Sequence, residues 1–186
     1  MNPWEEAPHI WPTKSSFFTF LRGALRRAIW EKWPLKIEFK NEVCDVPPEG
    51  YKGRAKSGAY CALSGEWVGK SASEIDHILG NVSLKDWEDV LPFILHLCAS
   101  KDNMQLVSKE AHKIKSYAEK MGISFEEASY AKLAIALVKD KKDVAWIKEK
   151  GYTPATSSAK RRLQIVEILK REAENASGEQ ENAETD

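Results

Sequence analysis

The sequence predicts a mostly helical α+β protein, and three observations predict it. Apolar residues recur at helical spacing from Phe17 to Ile29, Leu84 to Leu97, Phe125 to Lys139 and Ser158 to Lys170. Between the first two stretches, a polar passage rich in Gly and Pro leads into short strand-like segments over residues 59–78, which read as a hairpin. Hydrophobic residues make up 42% of the chain and charged residues 30%, the balance of a soluble globular protein. At 186 residues the chain can bury one good core with helical additions, and two ordinary domains are not the default.

Residues 1–58 read as an arm, a basic helix and a loop. Pro3, Pro8 and Pro12 make the first twelve residues an extended arm. Ser15 or Ser16 is placed to cap a helix carrying Phe17, Phe20, Leu21, Ala24, Leu25, Ala28 and Ile29 on one face, with Pro34 marking its end. Arg22, Arg26, Arg27 and Lys32 ride on this helix, either as a solvated face or as phosphate contacts. Arg54 and Lys56, in the loop that follows Pro47, are open to the same two readings.

Residues 59–122 form the expected core: the hairpin, an inserted helix near 84–97, a short loop bearing Asn103, and a helix from Lys109 to Lys120 that Gly122 ends. Residues 123–172 add a helical extension. Ser124-Phe-Glu-Glu127 is a capping box for the helix Phe125 to Lys139. Two further helices, Asp143–Gly151 and Ser158–Lys170, resemble a helix-turn-helix in outline only, since their connection is long and polar. A packing hairpin is the favoured reading. Residues 173–186 lack large apolar groups and are expected to be a disordered acidic tail.

The formal net charge is zero, which argues against coating nucleic acid through bulk electrostatics. Basic residues nevertheless gather in the first third and around Lys109 to Lys120, so that without the tail the remainder is net basic and able to engage phosphates locally. Three scattered cysteines suit a reducing cytoplasm. No run approaches the ~20 apolar residues of a membrane span, and the first residues do not read as a signal peptide.

One constellation calls for chemistry more than packing: Asp76-His77, then Asn103, then His112-Lys-Ile-Lys115. An imidazole of ordinary pKa ~6.5 is largely neutral near pH 7 and can take a proton from water. Asp76 offers a hard oxygen and His112 a nitrogen, an incomplete shell that leaves a cation open to water and a phosphate. Glu74-Ile-Asp76-His77-Ile, with Asn103-Met-Gln-Leu-Val-Ser-Lys-Glu-Ala-His112-Lys-Ile-Lys115 in unbroken register, resembles the HNH endonucleases of ββα-metal type, above all those of tailed bacteriophages. The segment Ser83–Cys98 is similar to the helical insert of the phage members.

The resemblance implies a ββα-metal core flanked by N- and C-terminal helices, hydrolysis of DNA phosphodiester bonds, and one divalent ion, Mg²⁺ or Mn²⁺, held by Asp76 and His112. It implies His77 as general base, Asn103 as a brace for the loop that aims it, and Lys115 as a phosphate contact. Glu74, sharing a strand face with Asp76, reads as an orienting carboxylate or as plain surface charge. DNA is the expected partner, with phage packaging or replication proteins as further candidates, no membrane, and the host cytoplasm as the setting. His9 and His96 have no partners in sequence and receive no role, while Trp87 and Trp146 read as core.

The chain departs from the family at its structural zinc. Where two Cys pairs are usual, it has Cys61-Ala-Leu-Ser64 and Ser108-Lys-Glu-Ala111, and one thiolate cannot make a tetrahedral site. No structural zinc is expected, with packing around Trp67, Val68, Leu106 and Val107 fastening the core instead and Ser108 capping the helix that follows. Loss of the thiolates also motivates an alternative, a non-catalytic DNA-binding or packaging protein on the same scaffold.

Overall fold

The computed structural model describes residues 2–80 and 82–183, with side chains through residue 175. The chain is mostly helical α+β with two small antiparallel sheets, and it divides into compact units of residues 1–112 and 113–186. The division falls inside a helix, ahead of the Gly122 boundary expected from sequence.

The N-terminal residues form a short helix where an extended arm is expected, α1 (Pro3–Glu6), because Pro3 at the first helical position and the Asn2–Glu5 box supply a start. Trp4 then packs on Phe17 and Phe18. Helix α2 (Lys14–Ala28) is capped by Thr13, whose hydroxyl accepts from the Ser16 N–H, and the expected caps Ser15 and Ser16 lie inside the first turn. Pro34 does not end this helix. After a 3₁₀ turn at Trp30–Lys32 it opens another, α3 (Pro34–Val43), which the sequence reading left unassigned.

Strand β1 (Gly58–Tyr60) pairs with β2 (Trp67–Gly69), and β3 (Ser73–His77) pairs with a strand far along the chain, β4 (Met104–Ser108). The single hairpin over 59–78 is therefore corrected to two sheets. The alternation of β3 explains the choice of partner: Ser73, Ile75 and His77 are buried, and Ile75 and His77 lie opposite Leu106 and Met104. Between the strands sits α4 (Val90–Leu97), shorter than the expected insert helix and preceded by a 3₁₀ turn at Trp87–Asp89. Helix α5 (Lys109–Met121) follows β4 directly, with the Ser108 hydroxyl accepting from the Ala111 N–H.

The core of the first unit joins Phe17, Phe18, Trp30, Ile75, Phe93, Leu97, Met104 and Leu106. Burying a side chain such as Leu97 or Phe18 contributes roughly 1.5–3 kcal/mol. Trp87 is not core: it is 46% exposed and covers the Phe17–Phe18 edge. Where a zinc knuckle would sit, the buried Cys61 sulfur accepts from the Ser108 N–H at 3.3 Å, Ala62 N–H bonds to Leu106 O, and Val107 and Ala111 are buried.

In the second unit Gly122, at φ +65°, lets the chain turn out of α5, and the Ser124 box starts α6 (Phe125–Lys139). Helices α7 (Asp143–Glu149) and α8 (Ser158–Ala183) close on it through Ala134, Ile147, Ile165 and Ile168, a packing hairpin as favoured above, with Trp146 partly buried against them. Helix α8 continues into the segment expected to be disordered, as its Ala, Glu and Gln content permits, and residues 184–186 lie outside the described residues. Among the described residues no helix is long and apolar enough to cross a membrane.

Candidate active site

Strand β3 and the first turn of α5 bring Glu74, Asp76, His77 and His112 to one cavity of about 330 Å³. Successive strand residues face opposite ways, so Glu74 and Asp76 share a side on which His112 arrives. Its Nδ1 lies 2.9 Å from Glu74 Oε1 and its Nε2 lies 3.4 Å from Asp76 Oδ1. Of the two readings of Glu74, the structure favours the orienting carboxylate. The Asp76 side chain is 13% exposed, and the cross-strand Gln105 donates to its Oδ2 at 3.3 Å.

Hydrogen bonding to Asp76, aided by Glu74, raises the His112 pKa to about 9, so at neutral pH the ring is an imidazolium bonded to two carboxylates. A cation can take the place of that Nε2 proton. Two donors each ~2.1 Å from one ion stand roughly 3.0–3.4 Å apart at right or tetrahedral angles, and the Asp76–His112 separation fits. Glu74 would keep the Nδ1–H and fix the ring. Among the described residues no group of three or more His, Cys, Asp and Glu is arranged to hold a metal.

His77 is 3% exposed, and its ring is layered between Trp30 and His96 with both centroids 4.0 Å away. Its Nε2 lies 2.9 Å from the His96 carbonyl oxygen. A carbonyl only accepts, so Nε2 carries the proton and the basic lone pair is on Nδ1. Burial, with the field of His96, lowers the pKa to about 4, so the ring is held neutral more firmly than its ordinary value implies. Sequence reasoning gave His96 no role, and that is corrected: it supplies both a stacking face and the tautomer-fixing carbonyl. Only the fold joins residues so far apart in the chain.

Asn103 closes the 3₁₀ turn Lys101–Asn103 before β4, and its side chain binds the segment just past His77. Its Oδ1 accepts from the Leu79 N–H at 2.7 Å, and its backbone carbonyl accepts from the Ile78 N–H at 3.1 Å. The insert's exit is thereby tied to the end of β3.

The basic residues divide. Arg26 lines the cavity, and Arg27, Arg54 and Lys56 are exposed. Arg22 turns toward the insert, its Nη2 donating to Leu84 O at 3.2 Å while its buried Nε has no partner among the described residues. Lys115 falls in the second unit, 3.7 Å from Glu119. Lys36 and Lys40 of α3 also line the cavity and were missed. The signal was available, since Pro34 followed by Leu35, Phe39 and Val43 at helical spacing marks a helix start. Compared with protein-family models, curated proteins and solved structures, the chain matches none.

Proposed function

We propose that the chain is a metal-dependent endonuclease of HNH type that hydrolyses DNA phosphodiester bonds. The observation that carries this reading is that Asp76, His77 and His112 line one cavity, with the His77 tautomer fixed by the His96 carbonyl and the His112 ring oriented by Glu74. His77 Nδ1 accepts the proton of the attacking water. A phosphate seated beside the ring raises its proton affinity, which is the direction a base needs. Asp76 and His112 Nε2 hold one divalent cation, Mg²⁺ or Mn²⁺, whose chemistry is to neutralise the scissile phosphate and the leaving oxygen. Glu74 orients His112, and Asn103 keeps the chain after His77 in place. Arg26, Arg27, Arg54, Lys56 and Lys115 supply backbone contacts to the duplex, and Arg22 contributes by holding the insert.

The alternative of a non-catalytic DNA-binding or packaging protein has the lost thiolates in its favour. Against it stands the hydrogen-bonded Glu74–His112 pair, which orients the ring beside Asp76 as a metal ligand would need. The free cysteines suit a cytoplasmic setting. Supercoiled plasmid with Mg²⁺ or Mn²⁺, offered to the wild type and His77→Ala, tests the reading. Relaxation by the wild type alone is expected, and background conversion by both overturns it.

A further inference from the structure

Three lysines from three separate elements are held by neutral acceptors: Lys40, which lines the cavity, and Lys70 and Lys109, whose charges it feels. Lys40 of α3 donates to Ser73 O at 2.7 Å. Lys70, in the turn between β2 and β3, donates to Asn41 Oδ1 at 2.8 Å. Lys109, the first residue of α5, donates to Ser71 O at 3.0 Å. None of the three forms an ion pair with a carboxylate among the described residues. A fourth, Lys36, lines the cavity with Lys40 and is bound 3.0 Å from the exposed Glu31.

Gathering like charges raises the energy of the folded chain, and a carbonyl fixes an ammonium without cancelling its charge. The crowding is felt at Lys40, whose pKa is lowered chiefly by burial, with smaller contributions from Lys70, Lys109 and Lys36 working against the raising field of Cys44. An arrangement that orients cations while leaving them uncompensated suits an anion brought from outside. Glu31, largely exposed, can release Lys36 when such an anion arrives.

We infer that Lys40, Lys70 and Lys109, extended by Lys36 into the cavity, form a phosphate track that seats a DNA strand beside Asp76 and His112. The inference rests on the endonuclease reading for the identity of the polyanion, and it names residues that reading does not use. Each lysine contacts backbone phosphate, so the track contributes affinity and register without sequence preference.

The test is anisotropy of a fluorescein-labelled duplex oligonucleotide with the full chain in EDTA, where binding is measured without cleavage. Lys40→Gln, Lys70→Gln and Lys109→Gln are compared with Lys139→Gln, which removes the same charge from the exposed end of α6. Each track variant is expected to weaken binding several-fold and to lower the slope of log K against log salt by about 0.9 per lost phosphate contact, with Lys139→Gln close to wild type. Track variants indistinguishable from Lys139→Gln overturn the inference. Should Lys40→Gln fail to fold, Lys70 and Lys109, both exposed, decide the matter alone. A wild type that binds through the track yet never relaxes plasmid overturns the endonuclease reading and leaves the track standing. One that cleaves while the track variants bind unchanged does the reverse.

Discussion

The two units of the chain use charge in opposite ways. In residues 113–186 cations meet anions: Arg161 pairs with the buried Asp143 at 2.5 Å, Lys170 with Glu127 at 2.7 Å, and Lys150 with Glu172 at 2.7 Å. Residues 1–112 have such pairs too, as at Lys101 and Glu42 or Lys36 and Glu31, yet at the cavity Lys40 rests on a carbonyl, one histidine is held neutral and another is held charged. Charges that only hold helices together end in neutral pairs. Lysines held by carbonyls keep their charge, and histidines shifted in opposite directions beside a cavity mark a candidate functional site.

Substitutions in each unit sharpen that contrast, and the largest effect belongs to the cavity. His77→Ala is expected to lower the rate of plasmid relaxation by about 10²–10⁴-fold, the usual range for loss of a positioned general base, and Asp76→Ala to abolish its dependence on Mg²⁺ or Mn²⁺, with circular dichroism unchanged in both. Asp143→Asn does the opposite. Removing the charge that Arg161 faces, while its bonds to Ala155 O and Thr156 O remain, is expected to cost about 1.5–3 kcal/mol in denaturant unfolding, while relaxation by the remaining folded protein continues.

The next effect is on stability against pH in the metal-free chain. The folded His77 pKa, about 4, lies below the unfolded ~6.5, so its contribution is lost as pH falls from 6.5 through 4. The folded His112 pKa, about 9, lies above it, so that contribution is complete below 6.5 and lost as pH rises through 9. Unfolding midpoints should therefore decline on both sides of pH 6.5, with His112→Gln flattening the alkaline limb alone. An alkaline limb unchanged in His112→Gln would assign it elsewhere. The smallest effects are shared: Thr13→Ala and Ser124→Ala each remove a cap and should lower stability by about 1 kcal/mol, in different units, without altering relaxation.

Much of this contrast could be read from local pattern. Asp76, His77 and His112 announce themselves by residue type and spacing, and the Ser124 box and Gly122 by helix-end chemistry that depends on neighbours alone. What escaped depends on distance. The β3–β4 pairing joins residues 73–77 to 104–108, and no turn between them signals it. His96 matters through a carbonyl and a ring face that only the fold brings to His77. Helix α3 escaped for another reason: Pro34 can end one helix or begin the next, and the competing Thr13, Ser15 and Ser16 caps show the same ambiguity between adjacent hydroxyls.

The layering of Trp30, His77 and His96 has a spectroscopic consequence. Protons of the His77 ring lie over the faces of two aromatic systems, whose ring currents shift their resonances upfield. With only four histidines in the chain, a displaced imidazole C–H signal should stand apart in a proton spectrum, so the protein carries a built-in reporter of whether that ring is seated.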